Sequence, residues 1–324
     1  MHTDTYIYGG ALHVHGGLVS NNKGKEVQMN YYSVSQYLKD TYGGKVYKIA
    51  LDGGFTCPTR DGSKGTGGCI FCSGRGSGEF AGDPGMSVTD QIEAGRKRLE
   101  KKIRNGKYIA YFQAYTNTYA PVERLRKLYT EAINHPDTVI LSIATRPDCL
   151  PDDVTALLAE LNRIKPVWVE LGLQTIHEKT ALYIRRGYPL SDYKEAAEKL
   201  TAAGIKVITH VILGLPGEGE DEMLETVKYV AASGSWGIKL QLLHVIEDTD
   251  LACDYRKGKF TALTLDEYTN LICKCLSVLP ENMVVHRITG DGDKRTLIAP
   301  LWSADKKKVL NTLGKAIEDY EQAV

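Results

Sequence analysis

The chain has 324 residues, 43% hydrophobic and 25% charged, which is length and apolar content enough for a sizeable core. Forty Lys and Arg balance forty Asp and Glu, so a strongly basic nucleic-acid binder and an acidic disordered chain are both excluded, and any polyanion contact falls to a local patch. The longest apolar runs, such as residues 207–213, are far short of the roughly 20 residues of a membrane span, and no membrane contact is expected. No secretory signal pattern opens the chain, and seven cysteines, an odd number, suit a reducing cytoplasm better than a disulfide scaffold. A cytoplasmic enzyme is the first expectation.

In chain order, residues 1–28 hold five glycines, three histidines and no periodicity, and read as a flexible N-terminal extension. Its His13 and His15 are expected to be solvated. Residues 46–51 form a short apolar strand, and a cysteine-bearing loop follows. Ser87 is a candidate N-cap for a helix to about residue 105, with Arg96, Lys97, Arg98, Lys101, Lys102 and Arg104 on its charged face. Residues 108–113 read as a strand, and Pro121 suits the first turn of a helix to about residue 134. A strand at 138–143, a helix at 151–163 and a strand at 166–173 come next. Helical segments at 176–184 and 191–203 follow, the second ended by Gly204. Residues 205–213 are nearly all apolar, as in a strand buried on both faces. A helix at 220–232, a strand at 237–243 and a capping box at Thr264-Leu-Asp-Glu267, opening a helix to residue 279, complete the pattern.

These six strand–helix alternations predict an α/β fold with parallel strands and right-handed crossovers. A full eight-fold barrel takes about 250 residues. The shorter repeat here predicts a partial, six-unit (β/α) barrel over residues 29–245, with a helical and β extension at 246–324 packing on it. Chemistry is expected on the loops after the strands.

The loop after the first strand holds Cys57, Cys69 and Cys72. Structural zinc needs four ligands, yet no histidine occurs between Cys57 and His135, and the next cysteine is Cys149. A redox Cys-x-x-Cys would leave Cys57 unexplained. Three thiolates with a fourth position open fit a [4Fe–4S] cluster whose last iron is left for a ligand. Cys253, Cys273 and Cys275 are expected to be buried thiols rather than a second cluster, because helix positions two apart do not share a face.

The Cys57-x11-Cys69-x2-Cys72 spacing, with Phe71 before the last cysteine, resembles the radical S-adenosylmethionine (SAM) superfamily in a long-loop variant of its usual C-x3-C-x2-C. Ala144-Thr-Arg-Pro-Asp148, Glu170-Leu-Gly-Leu-Gln-Thr175, Arg185-Arg-Gly187 and Gly214-Leu-Pro-Gly-Glu218 are similar to the branch of the Elongator catalytic subunit and coproporphyrinogen dehydrogenase. The 52–62 segment, Tyr111-Phe-Gln-Ala-Tyr-Thr-Asn-Thr118 and His286-Arg-Ile-Thr-Gly-Asp291 resemble its bacterial YhcC/YtqA subfamily.

The resemblance implies Cys57, Cys69 and Cys72 as ligands of the cluster. Its open iron chelates the amino and carboxylate groups of SAM, and reduction by a low-potential donor such as flavodoxin or ferredoxin yields a 5′-deoxyadenosyl radical. It also implies Gln174 as a ribose contact and Arg186 as the SAM carboxylate contact, with Arg185 the rival. Phe71 and the Gly214–Gly217 turn fall in the cofactor site. His210 stands where relatives carry an acidic ribose contact. Gln113-Ala-Tyr-Thr-Asn117 replaces a glycine-rich run that holds the SAM amino group, leaving Thr116 matched. Ala144 replaces a glutamate, so Glu170 takes over that polar contact. Glu170, His244 and His286 are the catalytic candidates, with Arg287 and Asp291 near the substrate, Asp291 equally a turn former. The subfamily is linked to conversion of 5-carboxymethylaminomethyl-(2-thio)uridine to the 5-aminomethyl form at the tRNA wobble position. The 96–107 helix, Arg124-Leu-Arg-Lys127 and Lys306–Lys308 are then candidate phosphate contacts. A radical SAM enzyme on a small metabolite or peptide, and a non-enzymatic cluster carrier, are the alternatives.

Overall fold

The computed structural model describes residues 19–20, 26–27, 31–100, 106–290 and 292–323. Seven strands carry the architecture: β1 (Val46–Leu51), β2 (Lys107–Phe112), β3 (Thr138–Thr145), β4 (Val167–Gln174), β5 (Lys206–Leu213), β6 (Gly237–Leu242) and β7 (Val284–Arg287). They pair in chain order and every pair is parallel, which makes a curled sheet with β1 and β7 as its edges. The helices are α1 (Val34–Tyr42), α2 (Val88–Leu99), α3 (Val122–Asn134), α4 (Asp152–Asn162), α5 (Glu178–Tyr183), α6 (Leu190–Ala202), α7 (Glu220–Ala232), α8 (Asp250–Arg256), α9 (Leu265–Ser277) and α10 (Lys306–Ala323). None of the described helices is long and apolar enough to cross a membrane.

Strand side chains alternate between two faces. Tyr47, Ile49, Leu51, Val207, Val211 and Leu213 pack outward against helix residues such as Ile92, Tyr129 and Val227. Ile109, Ile140, Trp168, Ile208 and Val284 point inward and meet Val34 and Leu38 of α1. Because α1 touches both edge strands, it closes the N-terminal end of the half-barrel. Burial on both faces explains the near-continuous apolar strands.

All six expected strands are present. The seventh, β7, comes from the 246–324 stretch, expected to be an extension packing on the barrel. Its four residues, Val-Val-His-Arg, end on two polar side chains and lack the length of a recognisable strand. Also unexpected are α1, α8 and α10. Val245–Ile246 pairs antiparallel with Leu297–Ala299 beside the sheet, and α9 packs on α10. Of the expected N-terminal extension, Val19–Ser20 pairs antiparallel with Glu26–Val27; the remainder, His13 and His15 included, lies outside the described residues, as do Lys101, Lys102, Arg104 and Asp291.

Candidate active site

A cavity of about 200 Å³ opens at the C-terminal ends of the strands, between the loop that follows β1 and the sheet interior. Cys57, Cys69 and Cys72 line it together with Phe71, Gln113, Thr116, Glu170, Gln174, Arg186 and His210. Lys239, Gln241 and Arg287 complete its far wall.

The cysteine loop is folded by its own backbone and by one arginine. Cys57 O accepts from the amides of Arg60 (2.8 Å) and Asp61 (3.2 Å), and Cys72 N donates to Cys69 O at 3.1 Å. Arg60 Nη2 donates to the carbonyls of Cys72 (3.1 Å) and Ser73 (2.6 Å), tying the last cysteine to the start of the loop. Gly68 has φ +71°, and a Cβ there would lie 2.8 Å from Arg60 Nε, so a side chain would push that arginine aside. No disulfide joins the three thiols. Each keeps some accessible surface, yet burial pushes the Cys69 thiol up to about 12 and raises Cys72 as well. Among the described residues no three His, Cys, Asp or Glu side chains converge on a single metal ion. An iron–sulfur cube asks for something different, since each thiolate binds its own iron. Three soft donors facing one cavity, without a disulfide and without a fourth cysteine in the lining, fit that group.

Inside the cavity lies a buried charge cluster centred on Glu170, whose side chain is fully buried. Glu170 Oε1 accepts from Lys48 Nζ at 2.7 Å and Ser142 Oγ at 2.8 Å. Oε2 accepts from His210 Nε2 at 2.9 Å and from Lys239 Nζ. Burial alone would raise this carboxyl; the two lysines and His210 overcome it and hold Glu170 well below the usual range. It is a fixed anion rather than a proton carrier. His210 is pushed down to about 4, chiefly by burial and then by Lys239. With Gln241 Nε2 donating to His210 Nδ1 (3.4 Å), the neutral ring donates from Nε2 to Glu170.

The rim stores backbone strain. Ser77, Tyr115 and Gln174 have φ between +60° and +64° and all line the cavity. Gln174 folds back so that its Oε1 accepts from Tyr188 Oη at 3.0 Å. A Cβ on Gly172 would lie 2.5 Å from Gln174 Nε2, so the glycine makes room for that side chain.

Three expected site residues lie elsewhere. Gly214 (φ +91°) packs against Leu263 and Leu243, and its amide points at Met223 Sδ. His286 is buried against Trp168 and Trp236, with ring centroids 5.2 and 5.3 Å apart, in the apolar layer below the cavity. His244 sits under Gly290 and Gly292. None of the three lines the cavity. The parity of β7 is shifted by an irregularity between Val285 and Arg287, which brings Arg287 rather than His286 to the wall. Arg186 lines the cavity with most of its guanidinium committed. Nε donates to Tyr188 O (2.9 Å), Nη1 to Thr175 O (2.6 Å) and Leu173 O (3.4 Å), and Nη2 to Glu178 (2.9 Å). Arg185 pairs with Asp250 outside the cavity. Cys273 and Cys275 are buried on α9, away from the lining, whereas Cys253, also expected to be buried, is exposed on the short helix α8.

Lys48, Lys239, Gln241 and Tyr111 were missed as site residues. Their signal was available: Lys48 and Lys239 are lone cations inside apolar strands, at inward positions of the alternation. The basic patches are mostly engaged. Arg96 pairs with Glu93 and Asp137, Arg126 with Glu160, and Arg124 holds the carbonyls of Gly53 and Gly54.

Residues 62–230 match the Radical SAM superfamily and residues 235–319 the Radical_SAM C-terminal domain. YtqA of Bacillus subtilis (strain 168) is 48% identical over 292 residues, covering 90% of this chain and 91% of its own length. YhcC of Escherichia coli (strain K12) is 40% identical over 280 residues, covering 86% and 89%. More distant is the tRNA uridine(34) acetyltransferase of Methanocaldococcus jannaschii, 24% identical over 274 residues, with 69% of this chain and 48% of that protein covered. Among solved structures, the archaeal Methanocaldococcus infernus Elp3 with an N-terminal deletion superposes with a TM-score of 0.61 at 19% identity, over 81% of this chain and 62% of that one, a likeness of fold. With its half-barrel, its cavity-facing cysteines and matches along nearly its whole length, the chain belongs to the radical SAM superfamily, enzymes that use a [4Fe–4S] cluster and SAM.

Proposed function

We propose that this enzyme modifies a tRNA wobble uridine, converting 5-carboxymethylaminomethyl-(2-thio)uridine to the 5-aminomethyl form. In this reading Cys57, Cys69 and Cys72 would hold the [4Fe–4S] cluster, leaving one iron for SAM. When bound, cluster and SAM would supply a 5′-deoxyadenosyl radical to take hydrogen from the methylene between the substrate's nitrogen and its carboxylate. Loss of one electron from that carbon to a one-electron acceptor and addition of water would then break the C–N bond, releasing the two-carbon unit as a 2-oxo acid and leaving the amine. The chain's own residues then hold and shield. Gln174, fixed by Tyr188 and by the space over Gly172, contacts the SAM ribose, while Thr116, Gln113 and Phe71 bound the cofactor side. Arg186 fastens the carbonyls of residues 173, 175 and 188 and pairs with Glu178, and its remaining N–H would be the one left for the SAM carboxylate. Glu170 orients His210 and Lys239 without exchanging protons near neutrality.

One observation carries the chemistry: three cysteines from a single loop share a cavity with strand-borne polar groups at the mouth of a parallel half-barrel. The tRNA part is supported by distant relatives named for tRNA uridine 34. This reading takes the enzyme to work in the cytoplasm with a flavodoxin- or ferredoxin-type donor as partner. Residues 29–245 act as the core and 246–324 complete its wall. Mass spectrometry of wobble nucleosides in a deletion strain tests the reading. Accumulation of the carboxymethylaminomethyl form is expected, and an unchanged profile refutes the tRNA substrate.

A further inference from the structure

The Gly214-Leu-Pro-Gly-Glu218 segment follows β5, yet none of its residues lines the cavity. Its shape is set by its own residues. Glu218 N donates to Leu215 O at 3.2 Å, with Pro216 second in the turn and Gly217, at φ +87°, third, which makes a type II β-turn. The turn brings Glu218 back against the end of β4. There Glu218 Oε1 accepts from Thr175 Oγ1 at 2.6 Å, and Thr175 is fully buried.

Thr175 closes a strained point of the cavity wall. Its amide donates to Leu173 O at 2.9 Å, across Gln174 at φ +64°. A three-residue turn with positive φ at its centre is the rare, strained form of the γ-turn. Glutamine does not favour that backbone, so the surroundings must impose it. The β4–β5 register shifts between Gly172 and Gln174, so the ladder is already irregular where the turn begins. Side chains hold it instead. Arg186 Nη1 bridges the two flanking carbonyls, Thr175 O at 2.6 Å and Leu173 O at 3.4 Å. Thr175 Oγ1 accepts from His177 N at 3.0 Å while donating to Glu218.

We propose that Glu218 is a positioning residue for SAM: by holding Thr175 it latches the strained turn and keeps Gln174 aimed into the cavity at the cofactor ribose. This role rests on the ribose assignment of Gln174 made above. Tyr188 fixes the end of the Gln174 side chain, whereas Glu218 and Arg186 fix the backbone that carries it. Without the latch, Gln174 relaxes to negative φ and its side chain leaves the wall. SAM then meets the aimed glutamine in only a fraction of molecules, and its apparent Kd rises as that fraction falls.

The test measures binding to the reconstituted holoenzyme by equilibrium dialysis, with SAM and with a SAM analogue lacking both ribose hydroxyls. Gln174→Ala and Glu218→Ala are each expected to weaken SAM binding roughly tenfold and to leave the analogue nearly unmoved. Glu218→Gln, whose Oε1 still accepts from Thr175, should bind SAM much as the wild type does. The double variant should lose no more than Gln174→Ala alone, because the two residues act on one contact. Losses that add in the double variant, or equal losses on both probes, overturn the latch. If Glu218→Ala does not fold, Thr175→Val, which removes the donor hydroxyl and keeps the shape, decides in its place. Gln174→Gly should unfold at a higher urea concentration than Gln174→Ala, since glycine takes positive φ freely; the reverse order removes the strain and the latch with it. A Gln174→Ala enzyme that loses SAM affinity while Glu218→Ala does not sinks only the latch. A Gln174→Ala enzyme that binds both probes like the wild type sinks the ribose assignment and this inference together.

Discussion

The two ends of the cavity are built by opposite means. At the rim, one contiguous loop supplies three soft thiols, and glycines with a single arginine fold it. At the deep end, hard charges arrive singly from strands far apart in the chain: Lys48 on β1, Glu170 on β4, His210 on β5 and Lys239 on β6. The rim depends on local backbone geometry and on what it binds, whereas the deep end depends on the register of the whole sheet. Loss of a rim ligand should therefore abolish function with little effect on the fold. Loss of a deep charge should strike stability first.

The largest effect separates the rim from every other cysteine. Cys57→Ala, Cys69→Ala and Cys72→Ala should each eliminate the visible iron–sulfur absorbance and SAM cleavage after reconstitution, while Cys273→Ala, on α9, keeps both. A dispensable Cys57 would erase the difference between the rim cysteines and the rest. Next in size is Glu170→Gln, which leaves Lys48 and Lys239 buried without their anion. It should cost about 3–5 kcal/mol in urea unfolding, the typical penalty for breaking a buried pair. A loss under about 1 kcal/mol would mean that the cluster is solvated and the deep end is no rigid layer. The smallest is Gly172→Ala, where the new Cβ would crowd Gln174 Nε2. SAM affinity should fall roughly tenfold, about 1.4 kcal/mol, by equilibrium dialysis, with the unfolding midpoint nearly unchanged.

The rim was legible in the sequence because its chemistry is contiguous. Cys57, Cys69 and Cys72 lie within one loop, and no fourth ligand stands nearby. Gln174 was singled out by the family resemblance, and it lines the cavity at the end of its strand. The deep end was legible only in part. Glu170 and His210 were noticed, but Lys48 and Lys239 passed as ordinary residues of apolar strands. His286 and Arg287 show the limit: neighbours in sequence, they differ by one step of alternation, and a local irregularity in β7 decides which reaches the cavity. No composition or spacing reveals such a shift.

By itself, the amino-acid order determined the alternation of strands and helices, the parallel half-barrel and the three-thiol loop, because each follows from short-range periodicity and spacing. Only the tertiary structure decided that a four-residue seventh strand completes the wall, that Arg186 is largely spent on backbone carbonyls, and that two lysines meet one glutamate inside. Those outcomes depend on which residues of distant strands fall into the same layer, and that is a property of sheet register across the whole molecule.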